Sequence, residues 1–318
     1  MRGLLEFAFA VSLSCTLAIG QVSIEPRPKL GAKDRTGPQD FPRTDLRVDS
    51  NLVLIPVEVS DLLNRPVSGL EKSNFHVFDE KIEQTIASFA MEDDPIAIGL
   101  VFDTSASMGE ELRESRVAAK EFFKTANPGD EFCLVVFDER PRLVVPLTED
   151  PSEIDYQLSF TQSRGSTALI DAIYLALNQM KKSHKSRKAL IVISDGGENS
   201  SRFTPSELQS FVRESDVLIY TIGVYGSGEG AAYERHTLLG RISTETGGRA
   251  FPAGGMPLPY FAQNIITDLR NRYVVGFSPT DHARDGRYHH VEVKLAPPRG
   301  LPAKLNVHWR VGYYAPSQ

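Results

Sequence analysis

The chain has 318 residues, enough for one sizeable α/β domain and a smaller module beside it. Its 41 acidic against 35 basic side chains give a formal charge of −6, so composition gives no reason to expect a nucleic-acid partner.

Arg2, the apolar residues Leu4, Leu5 and Phe7 to Val11, and the small residues Ala18 and Gly20 before Gln21 have the order of an export signal. Residues 1–20 are therefore expected to be removed. The mature chain is then exported, as a periplasmic, cell-surface or secreted protein without a membrane span, and a retained N-terminal anchor is the alternative. Lipidation at Cys15 is disfavoured, because Ser12 stands where an apolar residue is usual. Cleavage after Gly20 leaves Cys133 as the only thiol, so no intramolecular disulfide forms. Cys133 lies in the apolar run Phe132 to Phe137 and reads as a small buried hydrophobe.

Residues 21–47 are polar, with Pro26, Pro28, Pro38 and Pro42, and read as a flexible spacer. Residues 48–92 form a β-rich leader: one strand over Leu52 to Val59, a second over Phe75 to Phe78, and a third from Ile82 to Phe89. From 93 to 272 apolar strands alternate with helical patterns, which predicts a doubly wound, mostly parallel sheet covered on both faces. Its strands are placed at Ile96 to Asp103, Phe132 to Phe137, Leu143 to Leu147, Ala189 to Asp195, Val217 to Val224 and Arg249 to Phe251. Asp138 to Pro141 should turn the second into an antiparallel third. The basic run Lys181 to Lys188 lies between a helix and a strand and reads as a solvated loop. Gly226 to Gly230 lacks the Gly-Lys-Ser/Thr ending of a phosphate loop and reads as a rim loop.

Residues 273–318 return to strand periodicity. His289, Val291, Val293 and Leu295 share one face of a strand, and Lys304 to Val311 repeats the pattern with Leu305, Val307, Trp309 and Val311. Leader and tail each have too few strands for a core of their own. They are expected to pair into one small β-sandwich with the α/β domain inserted. His289 and His290 point to opposite faces and cannot chelate one ion.

The sharpest chemical signal is Asp103-Thr104-Ser105-Ala106-Ser107, where the first buried strand turns into a helical pattern. The carboxyl ends of such strands carry the ligand sites of open α/β sheets. Asp103, Ser105 and Ser107, at alternating positions on a tight turn, can converge on one hard cation: Mg2+ first, with Ca2+ or Mn2+ as alternatives. Ser107 followed by Glu110 also fits a capping box, a purely structural explanation. Two later segments have matching placement. Thr167 opens a second helix, and Asp195 ends another buried strand.

That ordered set resembles the von Willebrand factor A domain with its metal-ion-dependent adhesion site. The overall layout is similar to the VWFA-related family known mainly from acidobacteria, in which Asp-Thr-Ser-x-Ser-Met follows a β-rich leader; Gly312 to Pro316 matches that family's closing Gly-Tyr-Tyr-like segment. The resemblance implies a Rossmann-like fold in which Ser105, Ser107 and Thr167 supply hydroxyl ligands and Asp103 and Asp195 ligate directly or through water. Ser166 departs from the family's usual second glycine. Asp171 and Glu198 lie near these positions, either tuning the site or serving as ordinary helix-start and surface carboxylates.

With only two carboxylates, such a site leaves one coordination position that a partner's Asp or Glu can fill. The expected function is an exported adhesion or assembly module that recognises a protein partner through the cation, and not an enzyme. A metal-assisted hydrolase would need a general base and a cleft that the sequence lacks. A scaffold with a vestigial metal site is the third reading. Because Asp103 and Asp195 are expected at solvent-facing strand ends, losing either carboxylate should leave the fold largely intact.

Overall fold

The computed structural model describes residues 52–92, 94–224, 237–252, 256–279, 285–296, 298 and 304–315. The predicted signal, the spacer and Gly226 to Gly230 lie outside them.

The leader contains β1 (Val53–Ser60), β2 (Phe75–Asp79), β3 (Ile82–Gln84) and β4 (Ile86–Met91). The single strand expected over Ile82 to Phe89 is thus two. β3 pairs with β2 in one sheet, whereas β4 pairs in another with a strand from the far end of the chain. Continuous β periodicity cannot show such a change of sheet, because both halves alternate correctly.

The central sheet uses β5 (Ile96–Asp103), β6 (Glu131–Phe137), β7 (Pro141–Thr148), β8 (Arg187–Ser194), β9 (Leu218–Gly223) and β10 (Ala250–Pro252) in the order β10-β9-β8-β5-β6-β7. All pairings are parallel except β6 with β7, the predicted hairpin at the edge. Every residue of β5 is buried, as a central strand covered on both faces requires. Leu100 and Phe102 point to one core with Ala118 and Phe122 of α1 (Leu112–Lys124) and Ile154 of α2 (Ser152–Ser159). Ala97 and Val101 point to the other, with Ala172 and Ile173 of α3 (Leu169–Met180), Leu208 of α4 (Pro205–Glu214) and Ile242 of α5 (Leu238–Thr246). Gly99 lets α3 approach this closely: a Cβ there would lie 2.4 Å from Leu190 and 3.0 Å from Met180 Sδ. Burial keeps the Cys133 thiol pushed up to about 12, which makes it inert at neutral pH.

α6 (Leu258–Arg270) packs on α1 and leads directly into β11 (Arg272–Phe277), followed by β12 (Tyr288–Leu295), β13 (Asn306–Trp309) and β14 (Gly312–Tyr314). Two four-stranded antiparallel sheets result, β13-β1-β11-β4 and β14-β12-β2-β3, each mixing strands from before and after the α/β portion. One apolar core joins them through Ile55, Val57, Val77, Tyr273, Val275 and Val293, with Phe75, Phe89 and Tyr273 in ring contact at 5.3–5.7 Å. The segment Lys304 to Val311 is not one strand. The chain leaves the first sheet after Trp309, whose Nε1 donates to Val291 O at 2.9 Å, and enters the second at Gly312. The basic run is also only partly solvated. Arg187 starts β8, is 6% exposed, and donates to Glu92 Oε2 (3.1 Å), Asp94 O (2.7 Å) and Leu269 O.

The joint between α/β layers and sandwich is a buried charge cluster. Glu58 of β1 lies opposite Arg272 of β11, both fully buried, with Asp268 of α6 at 1% exposure. Arg249 pairs with Asp268 at 3.0 Å, and Arg272 donates to Tyr220 Oη at 2.6 Å and Gly247 O at 2.7 Å. Burial, followed by the Glu58 charge, pushes Asp268 up to about 7. Burial, with the Arg249 and Arg272 charges, pushes half-buried His308 down to about 4.

These two groups have opposite linkage signs. Between their ordinary 3.8 and about 7, the folded state holds a proton on Asp268 that the unfolded chain releases, so its contribution falls as pH rises. Between about 4 and 6.5, the unfolded chain protonates His308 and the folded one does not, so its contribution grows with pH. Asp268→Asn should therefore leave stability rising from about pH 4 to 6.5, and His308→Gln should leave it falling from about pH 4 to 7. Urea midpoints taken in pH steps check this. Parallel curves for parent and both variants would refute it.

Candidate metal-binding site

β5 pairs with β6 on one side and with β8 on the other, so the chain winds in opposite directions from this point. The crevice beyond the carboxyl ends of β5 and β8 is the switch point of the sheet. Asp103 is the last residue of β5, Ser194 the last of β8, and Asp195 follows it.

Asp103 is fully buried. Its Oδ1 accepts from Ser105 N at 2.8 Å and its Oδ2 from Ser194 Oγ at 2.6 Å. Burial raises its pKa; bonds from Ser105 and Ser194 oppose the rise, and the Asp195 charge adds to it. Ser105 Oγ lies 3.1 Å from Ser107 Oγ, which joins the first three candidate residues. Thr104 turns away and bonds Phe137 O at 2.8 Å.

Thr167 is 3% exposed just before α3. Both it and Asp195 border Gly197, where a Cβ would lie 3.1 Å from Asp195 Oδ1 and 3.5 Å from Thr167 Oγ1. Ala106 N donates to Gly165 O at 3.0 Å and Ser163 Oγ to Ser105 O at 2.6 Å, tying the first loop to the second. Thr167 N donates to Asn199 Oδ1 at 2.9 Å, and Asn199 N returns a bond to Thr167 O at 3.0 Å, tying the second to the third. The three loops form one hydrogen-bonded unit around the crevice.

Among the described residues neither Asp103 nor Asp195 forms an ion pair with a Lys, Arg or His. A buried carboxylate repelled by a second one and faced by no cationic side chain is the environment that a bound cation stabilises. Among the same residues no group of three or more His, Cys, Asp or Glu converges. The candidate residues offer hydroxyl oxygens and two carboxylates, donors of the kind that suit a hard divalent ion.

Two expectations need correction. Ser107 caps no helix: Ala106–Met108 is a short 3-10 turn, and α1 begins only at Leu112 behind Glu111, which makes no side-chain cap bond. The capping explanation for Ser107 falls. Asp103 is not at a solvent-facing strand end. Removing its carboxylate would orphan the Ser105 amide and the Ser194 hydroxyl, at about 1–3 kcal/mol for each buried group left unsatisfied.

Ser166 is harmless to the backbone, because the positive φ of this loop (+72°) belongs to Gly165. Its hydroxyl accepts from Ser200 Oγ at 2.7 Å. Asp171 and Glu198 hold loops. Asp171 Oδ1 takes the amides of Arg202 (2.9 Å) and Phe203 (3.1 Å), and Glu198 Oε2 takes Ile170 N at 2.9 Å on the first turn of α3. Sequence reasoning missed Ser194 and Asn199, which orient Asp103 and Thr167. The Ser-Asp step at the end of β8 was the available signal for the first.

Residues 98–198 match the von Willebrand factor type A domain family. The chain is 26% identical over 206 residues to inter-alpha-trypsin inhibitor heavy chain H4 of Bos taurus, covering 59% of this chain and 21% of that protein. It thus spans about a fifth of that relative. It is 30% identical over 141 residues to an uncharacterized protein of Borreliella burgdorferi, covering 42% of this chain and 41% of the other. A solved von Willebrand factor type A structure from Catenulispora acidiphila superposes with a TM-score of 0.47 at 13% identity, over 77% of this chain and 74% of that one. With helices on both faces of a mostly parallel sheet and this match across β5 to β8, the chain carries a von Willebrand factor type A domain.

Proposed function

We propose that this domain binds a divalent cation through Asp103, Ser105, Ser107, Thr167 and Asp195, and that a carboxylate of a partner protein completes the coordination. The observation that carries the reading is the pair of carboxylates at the switch point, unneutralised by any described side chain and surrounded by hydroxyls. Mg2+ is the first choice; Mn2+ and Ca2+ share its oxygen preference. The protein is a binding module for adhesion or assembly. The export signal read over residues 1–20 supports a periplasmic, cell-surface or secreted location, with a retained N-terminal anchor as the alternative. No helix among the described residues is long and apolar enough to cross a membrane.

Calorimetric titration of the full chain with Mg2+ and Mn2+ tests the cation. One saturable site per chain is expected, with no hydrolytic turnover added by the metal. Heats no larger than dilution for both ions would defeat the proposal.

A further inference from the structure

Beside the proposed metal site, a pocket of about 260 Å3 opens between the β6–β7 hairpin and the segment that follows α2. Val136 and Val144 give it apolar lining, Phe160 stands at its side, and Arg142 and Arg164 also line it. We propose that this pocket is a second anchor for the same partner and receives a glutamate side chain. The partner segment is therefore an acidic peptide with two carboxylates, one at the cation and one here. This rests on the metal reading above.

The charge arrangement favours that occupant. Arg142 and Arg164 both lean on the same oxygen of Asp138, at 3.2 and 3.3 Å, while their side chains stay 49% and 66% exposed. A guanidinium has five N–H donors in a planar fork, so one shared carboxylate oxygen leaves most of them open. The turn contributes Asp138, Glu139, Arg140 and Arg142, and with Arg164 the local balance is one positive charge on a chain of net −6. The apolar floor suits the methylene stem of a glutamate whose carboxylate reaches the arginines. Tyr156 and Phe160, 64% and 63% exposed and in edge contact at 4.8 Å, extend apolar surface on this side.

The pocket is also built into the metal loops. Thr104, the residue after Asp103, lines it, and Thr104 O accepts from Arg164 N at 2.8 Å. Arg116 Nε holds Thr161 Oγ1 at 3.0 Å, and that hydroxyl donates to Leu158 O at 2.8 Å, so the wall is preformed. A single carboxylate on a cation discriminates poorly among partners, since many surfaces present one. A second point on the same rigid unit makes the second contact intramolecular and adds affinity without a new interface.

The test uses the full chain, Mn2+ at saturation, about 0.15 M salt to screen distant charges, and two labelled peptides read by fluorescence anisotropy. One is hexaglutamate, which offers many carboxylate spacings, and the other carries one glutamate among five serines. Parent protein should bind hexaglutamate about tenfold more tightly or better beyond the roughly sixfold statistical advantage of its six carboxylates at the cation, the scale of one charge-assisted contact. Arg142→Gln/Arg164→Gln should show only that statistical advantage while keeping parental Mn2+ affinity. Lys181→Gln/Lys182→Gln, with the same charge change on exposed residues outside the pocket, should keep the preference. If Mn2+ binds but the pocket variant retains more than the statistical advantage, or the parent shows no more than it, the second anchor is refuted and the metal reading stands. If the parent binds no Mn2+, both fall.

Discussion

Arg272→Met is expected to cost about 3–5 kcal/mol of stability, the scale seen when one member of a buried ion cluster is removed. The guanidinium is fully buried and bonds Tyr220 Oη and Gly247 O, so one substitution strips partners from β9 and from the turn after α5. It also leaves the buried carboxylates of Glu58 and Asp268 with Arg249 as the remaining close guanidinium, at 3.9 and 3.0 Å. The cluster is already incompletely satisfied: both oxygens of Glu58, Asp268 Oδ1, and Nε and Nη1 of Arg272 make no hydrogen bond. Burying charge under those conditions is costly, so replacing the whole set with apolar residues should recover the loss. Glu58→Leu/Arg249→Met/Asp268→Leu/Arg272→Met, which leaves no member of the cluster unpaired, is therefore expected to be at least as stable as parent in urea. A quadruple variant weaker than Arg272→Met alone would show that the charges themselves stabilise the joint.

The second large effect is at the proposed cation site. Asp195→Ala should reduce Mn2+ affinity by more than about a hundredfold, since changing even a residue that orients a ligand costs about 10–100-fold. Asp195 is the cleaner position for this test, because it is partly exposed and its described hydrogen bond is the short-range one from Gly197 N. At Asp103 the isosteric Asn is the better replacement, because an amide oxygen can still accept one of the bonds now made by Ser105 N and Ser194 Oγ. Ser194→Ala should fall in the intermediate range, about 10–100-fold, with the hydroxyl acting as a positioning group. Equal Mn2+ affinity in parent and Asp195→Ala, measured calorimetrically with matched melting curves, would remove Asp195 from the ligand set.

How much of this was legible in the chain differs from element to element. The alternation of apolar runs with helical patterns announced the parallel sheet, because a strand buried on both faces must be apolar throughout, as β5 is. The placement of Asp103, Thr167 and Asp195 relative to those strands and helices was likewise readable, since it depends only on where each element ends. Ser194 and Asn199 were not. Their role exists only once β8 lies beside β5 and the third loop folds over the second.

The sequence by itself determined the elements, the hydroxyl-and-carboxylate character of the candidate site and the order in which its residues arrive, because hydrophobic period and residue chemistry are local properties. Tertiary structure alone decided four things. It divided Ile82 to Phe89 between two sheets, and it seated β11 between β1 and β4. It buried Asp103, so its carboxylate became part of the fold as well as a candidate ligand. It brought Glu58, Arg249, Asp268 and Arg272 into one joint although 214 positions separate the first from the last. Each is a pairing between distant segments, and no local pattern encodes which buried charge will face which, because that is settled by how whole sheets and helices pack.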